Sequence, residues 1–128
     1  MNPIHALAKA KLSELAPVVS RTSALDGTAL DIQAYEGSVL VILAASAAIA
    51  GTDPTLAVKV QHADTEGGTY ADVPGGAFAG ITDTAGHEVL VLNADNLKRW
   101  VKVVGTIGGT SSPEFAFGVS IAGLHKYD

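Results

Sequence analysis

The sequence contains no cysteine. That absence removes disulfides, thiolate metal sites and cysteine nucleophiles together, and it suits a reducing compartment. Aromatic residues make up only 5% of the chain, so a hydrophobic fraction of 48% has to be supplied mainly by Val, Leu, Ile and Ala. Charge is scarce as well: charged residues are 16% of the chain, against about 25% in an average globular protein. A surface so lightly charged is expected to be partly covered by another chain. Glycine, by contrast, is plentiful, 14 of 128 residues. A chain of this length is long enough to bury one core and too short for two independent ones.

Formal net charge is −5, unevenly spread. Lys9, Lys11 and Arg21 face only Glu14 in the first part of the chain, and the remainder is acidic. An acidic body argues against a nucleic-acid partner, because neutralising phosphates takes clustered Lys and Arg. Lys9 and Lys11 also stand where a secretory signal needs an uninterrupted apolar core, so no signal peptide is expected. The most apolar run, VLVILAASAAIAG from Val39 to Gly51, is interrupted by Ser46 and falls short of the roughly 20 residues that span a bilayer as a helix. It reads as a buried strand and its continuation, in a soluble protein with no membrane partner.

Two regions differ in period. Residues Asn2 to Leu15 have helical grammar: Asn2 can cap, Pro3 suits the first turn, and Ile4, Leu7, Ala8, Leu12 and Leu15 recur at three- and four-residue steps. Pro17 stops the pattern. This predicts an N-terminal arm over residues 1–20, either packed on its own domain or docked on a neighbouring subunit. Beyond it the period is two. In LAVKVQHA, Leu56, Val58, Val60 and His62 alternate with Ala57, Lys59, Gln61 and Ala63. In EFAFGVSIAGL, Phe115, Phe117, Val119 and Ile121 form one large apolar face, and Ala116, Gly118, Ser120 and Ala122 form a small, uncharged one. That second face is expected to lie against another surface. Further strands are expected at Ala16–Arg21, Thr28–Ala34, Ser38–Ala44, His87–Leu92 and Arg99–Ile107. Turn chemistry separates them at Asp26-Gly27, Glu36-Gly37, Thr52-Asp53-Pro54, Gly67-Gly68, Pro74-Gly75-Gly76, Asn93 to Asn96 and Gly108 to Pro113. Some seven or eight strands with short turns and no βαβ alternation predict an all-β fold, a single β-sandwich over residues 21–128 of jelly-roll or immunoglobulin-like type.

The richest concentration of polar chemistry is VQHADTEGGTYADVPGGAF, Val60 to Phe78. His62 and Asp64 would share a strand face, and Glu66 or Asp72 could join them on a metal ion. His62 is in register with Leu56, Val58 and Val60, however, which predicts a hydrogen-bonded histidine at the rim of the core. DTEGG then closes a hairpin, and PGGAF is a second turn. The Gly-Gly pairs match neither GxxxxGK[ST] nor GxGxxG. His5, His87 and His125 form no HExxH pattern, and no GxSxG elbow is present. No catalytic residue, cofactor or metal site is therefore assigned, and the chain is not expected to be an enzyme. Trp100 and Tyr70 are candidates for stacking on a sugar.

One pattern goes beyond composition. YEGSVLVILAASAAIAGTDPTLAVKVQHADTEGGTYADVPGGAF, followed by NLKRWVKVVGTIGGTSSPEFAFGVSIAGLHKY, resembles small virion proteins encoded beside the major capsid protein of tailed phages. The shared order is a long apolar strand after a Tyr-Glu-Gly turn, a strand ending in Gln-His-x-Asp, and a Gly-Gly hairpin into Thr-Tyr-x-Asp-Val. An Arg-aromatic-Val-Lys-Val strand and a Gly-Thr-Ser-Ser-Pro hairpin follow. The resemblance covers Tyr35 to Tyr127 and implies a capsid decoration, or cement, protein of jelly-roll type. Such a protein is made in the bacterial host cytoplasm and sits on the exterior of the virion, where it ties neighbouring capsomers together. Its expected partners are the major capsid protein and further copies of itself, as a dimer or trimer. Ile4, Leu7, Lys9, Lys11, Leu12 and Leu15 are the expected contacts of the arm, the two lysines steering it toward an acidic shell. A tail or baseplate sandwich and a carbohydrate-binding module using Trp100 or Tyr70 are the alternative readings.

Overall fold

A computed structural model describes residues 10–81 and 85–125. The strands, in chain order, are β1 (Ala10–Arg21), β2 (Leu25–Asp26), β3 (Leu30–Asp31), β4 (Tyr35–Ala45), β5 (Ala50–Ala63), β6 (Ala71–Ala77), β7 (Gly86–Asn93) and β8 (Trp100–His125). A 3-10 turn, Ala94–Asn96, follows β7, with Asn93 capping it by accepting from the Asp95 N–H. Among the described residues no helix is long and apolar enough to cross a membrane.

All pairings are antiparallel, and β8 takes part in both layers. Its second half lies between β1 and β4, with β7 beyond β4, so the first sheet runs β1-β8-β4-β7. Its first half lies between β5 and the short β2 and β3, with β6 beyond β5, so the second sheet runs β6-β5-β8 with β2 and β3 at the far edge. The chain crosses from one layer to the other between β1 and β2, β3 and β4, β4 and β5, and β6 and β7, while β5 and β6 pair as a hairpin, a crossing β-sandwich of jelly-roll type.

Period-two patterning explains the core between the layers. Val39, Val41 and Leu43 of β4 meet Phe115, Phe117, Val119 and Ile121 of β8 from one side, and Leu56, Val58, Val60, Val101 and Val103 close it from the other; all are buried. With so few aromatics, Phe115 and Phe117 are the largest of the fully buried side chains.

The sheets share a corner. Residues Gly108 to Pro113, read above as a hairpin, lie inside β8, which bends there from one layer into the other. Gly109 (φ 117°), Ser111 (φ 60°) and Ser112 (φ 56°) make the bend in left-handed backbone. Opposite them, Thr52-Asp53-Pro54, expected to be a turn, lies within β5, with Asp53 at φ 49°. A side chain at Gly109 would lie 2.9 Å from the Asp53 carbonyl oxygen, so the two bends close on each other only with glycine there. Pro74-Gly75-Gly76 is likewise part of β6, where a shift of register against β5 absorbs the extra residues.

The helical reading of Asn2–Leu15 fails where it can be compared, since Ala10–Leu15 are strand. Residues 10–14 pair with residues 120–124 of β8, and a bulge between Glu14 and Ala16 turns both Leu15 and Ala16 into the core. The three-residue step from Leu12 to Leu15 is the product of that geometry and not of a helix. A free edge of β8 offers a ladder of backbone hydrogen bonds, and pairing overrides weak local helix preference. The sandwich thus takes in residues assigned above to the arm. Ile4, Leu7 and Lys9 lie outside the described residues.

Candidate interaction surface

The outward residues of the first sheet fall into rows fixed by the strand register. One row is Leu12, Ala122, Leu40 and Val91, and the next is Glu14, Ser120, Ile42 and Val89. In the third, Gly118 and Ala44 lie beside His87, with Val18 packed over Gly118. Leu12 is 66% exposed, Val18 69%, Val91 65%, Val89 53% and Leu40 40%. These five side chains leave roughly 500 Å² of apolar surface in water, near the top of the range of about 300–600 Å² for the largest patch on an ordinary monomer. Glu14 and His87, at opposite edges, are the ionisable groups of these rows.

The second sheet presents the opposite chemistry. Lys59 pairs with Asp72 at 3.0 Å, Arg99 with Asp31 at 2.8 Å and Lys102 with Asp26 at 2.8 Å; Lys98 is 3.8 Å from Asp64 at the rim. The Arg99 hydrogen bond holds the Asp31 carboxyl below its ordinary value, and Gln61 followed by Lys59 does the same for Asp72. Charge is therefore concentrated on one side of the sandwich, already paired. Apolar area is concentrated on the other.

His62 is buried facing the core, and its Nδ1 accepts the Lys98 backbone N–H at 3.2 Å. That is the rim histidine expected from register. Its pKa is lowered, first by burial and then by the Lys98 charge. Asp64 turns out toward Lys98 and Asp72 is held by Lys59 and Gln61, so the residues weighed above as metal ligands do not converge. Among the described residues no group of three His, Asp or Glu side chains is placed to hold a metal ion. A cleft of about 480 Å³ opens between β6 and β7, lined by Val73, Pro74, Gly75, Val91, Leu92 and Leu97 with two asparagines, none of which can exchange a proton near neutral pH. Tyr70 donates its hydroxyl to the Glu66 carbonyl and carries the Lys102 ammonium 4.5 Å over its ring, while Arg99 lies 5.5 Å from the Trp100 ring. The two sugar-stacking candidates thus each have a cation on a ring face.

Of the expected arm contacts, Leu12 is on the exposed apolar face and Leu15 is buried in the chain's own core, which leaves it no surface to offer a partner. Lys11 lies on β1 opposite Gly123. Leu40, Val89 and Val91 were not singled out from sequence, although for Leu40 a signal of cover was there. VLVILAA is apolar on both faces of its strand, a pattern that belongs to strands covered on both sides.

No family model matches the sequence, and no curated protein matches it. Among solved structures the fold is similar to that of the PBSX exported protein XepA, with a TM-score of 0.52 and 14% identity over 92% of this chain and 38% of that one. It is similar to a T13 particle of infectious bursal disease virus, TM-score 0.52 and 15% identity over 91% of this chain and 31% of that one. The Gx strain of the same virus gives a TM-score of 0.51 and 13% identity, over 91% and 32%. The chain spans about a third of the length of these proteins. At such identities the likeness is one of fold: this chain is a jelly roll of the kind also found in a virus particle.

Proposed function

We propose that this chain is a virion structural protein that binds the outside of an assembled icosahedral capsid and stabilises it by bridging neighbouring capsomers. The observation that carries the reading is the division of the sandwich into a paired, polar side and a largely apolar side whose ionisable groups, Glu14 and His87, lie at its edges, with no convergent acid, base or metal ligands among the described residues. A molecule so divided works by being covered, which is the work of an assembly component. The jelly-roll likeness to a virus particle protein and the phage-like order of motifs from Tyr35 onward support the same reading.

Contact with the shell is assigned to the residues ahead of β1, Ile4, Leu7 and Lys9, with Lys11 at its start. Leu12 belongs instead to the apolar face and Leu15 to the core. Each contact can be weak, because a subunit held at several points gains from effective concentration. The test is cosedimentation of the chain with phage heads stripped of it, comparing the full chain with one lacking residues 1–9, a deletion that stops short of β1. The full chain is expected to bind and to raise the temperature at which heads release DNA, and the shortened chain to lose most of both effects. Density on tails and none on heads in electron micrographs would replace this reading with a tail component.

A further inference from the structure

The apolar face of the first sheet has a shape as well as a composition. Ser120 and Ala122 form a trough of small residues along β8, closed at one end where Val18 packs over Gly118, and beside it Leu40 and Ile42 of β4, with Val89 and Val91 of β7, form a ridge. The ridge on one molecule is the complement of the trough on another. We infer that a second copy of this chain covers this face, the two first sheets packing face to face about a two-fold axis that runs parallel to the strands between β4 and β8.

Such an axis exchanges left and right within each row. Ala122 then lies under Leu40 of the other copy and Ser120 under Ile42, while Val18, which covers Gly118, meets Ala44, so every close approach pairs a smaller residue with a larger one. At the edges Leu12 meets Val91. Face-to-face sheets sit about 10 Å apart, the distance such interdigitation gives. Charge argues the same way. In a two-fold contact each group near the axis meets its own kind, so like charges there repel. Within these rows the residues of β4 and β8 beside the axis carry no charge, and Glu14 and His87 lie at the edges, away from it. The polar second sheet, with its lysines and aspartates, could not serve in this way. Counted on both partners, the exposed apolar area reaches about the 1,000 Å² that a specific interface has to clear. This inference rests on the geometry of the face and stands apart from the capsid reading.

The test uses the purified full chain without capsids. Sedimentation equilibrium is expected to give a dimer of the 13.0 kDa chain. Leu40→Lys and Val91→Lys are expected each to weaken it by at least about tenfold, since a charge replaces an apolar contact twice per dimer. Val104→Lys, on the outer face of the second sheet, is expected to leave it unchanged. Because the chain has no cysteine, single cysteines report the register cleanly. A mixture of Val91→Cys and Leu12→Cys chains is expected to cross-link through a bismaleimide of about 10 Å reach, and Val91→Cys alone to cross-link poorly. A monomer, a dimer indifferent to both lysine variants, or efficient linking of Val91→Cys to itself would each overturn the inference. Loss of capsid binding with an intact dimer would count against the capsid reading and leave this one standing.

Discussion

Nδ1 of His62 faces a backbone N–H, which can only donate, so the imidazole has to stay neutral with its proton on Nε2. The folded state resists protonation and the unfolded chain does not. Stability is therefore complete above the unfolded value of about 6.5 and declines as pH falls through it, until the lowered folded value is reached. Urea midpoints taken between pH 8 and 5 should show this decline, and His62→Gln should flatten it. Asp31 and Asp72 act in a separate window: their lowered values contribute stability that is lost only below about pH 4. Gly118 is a second residue whose neighbours decide its identity. A methyl group there would meet Val18, with the Val18 nitrogen 2.9 Å away, where β1 crosses β8. Gly118→Ala is expected to cost about 1–3 kcal/mol in chemical denaturation, the usual penalty of overpacking.

At the scale of elements, β1 is where sequence and structure part. Leu12 and Leu15 differ in burial as two residues on one helix face would not, one out and one in. Leu15→Ala is thus expected to destabilise by about 2–5 kcal/mol, and Leu12→Ala, measured at high dilution, by about 0.5 kcal/mol or less. Equal costs would restore the helix. Strands with clean alternation, such as Leu56 to Gln61, were legible because inside and outside differ in size or polarity at each step, and His87 to Leu92 was legible from its concentration of valine and leucine. The bulge at Glu14–Ala16 breaks that alternation and imitates a helical step. The corner at Gly108–Pro113 was read as a hairpin because its residues have turn chemistry, and turn chemistry records local backbone angles without saying where the chain goes next. Whether it reverses or bends on into another sheet is decided by pairing with β5 and β4, partners more than fifty residues distant. Of the interaction surface, the small face of β8 was legible as one needing cover; the ridge beside it was not, since VLVILAA reads equally well as a strand buried on both sides.

At the scale of the whole molecule, β8 prevents the two sheets from melting separately. Losing the second sheet frees one half of a strand whose other half holds the first together. Unfolding of the monomer is expected to be two-state. Trp100, the only tryptophan, reports the second sheet by fluorescence, and amide exchange of β4 reports the first; their midpoints in urea should coincide. Separated transitions would mean that the corner is a hinge. The shared strand also determines how the molecule answers force. In a sandwich of independent layers, a pull applied to one is resisted by side chains sliding over side chains. Here tension entering through the end of β8 passes along covalent bonds into the opposite layer, so the protein carries load as a rivet does, by a shank that runs through both plates.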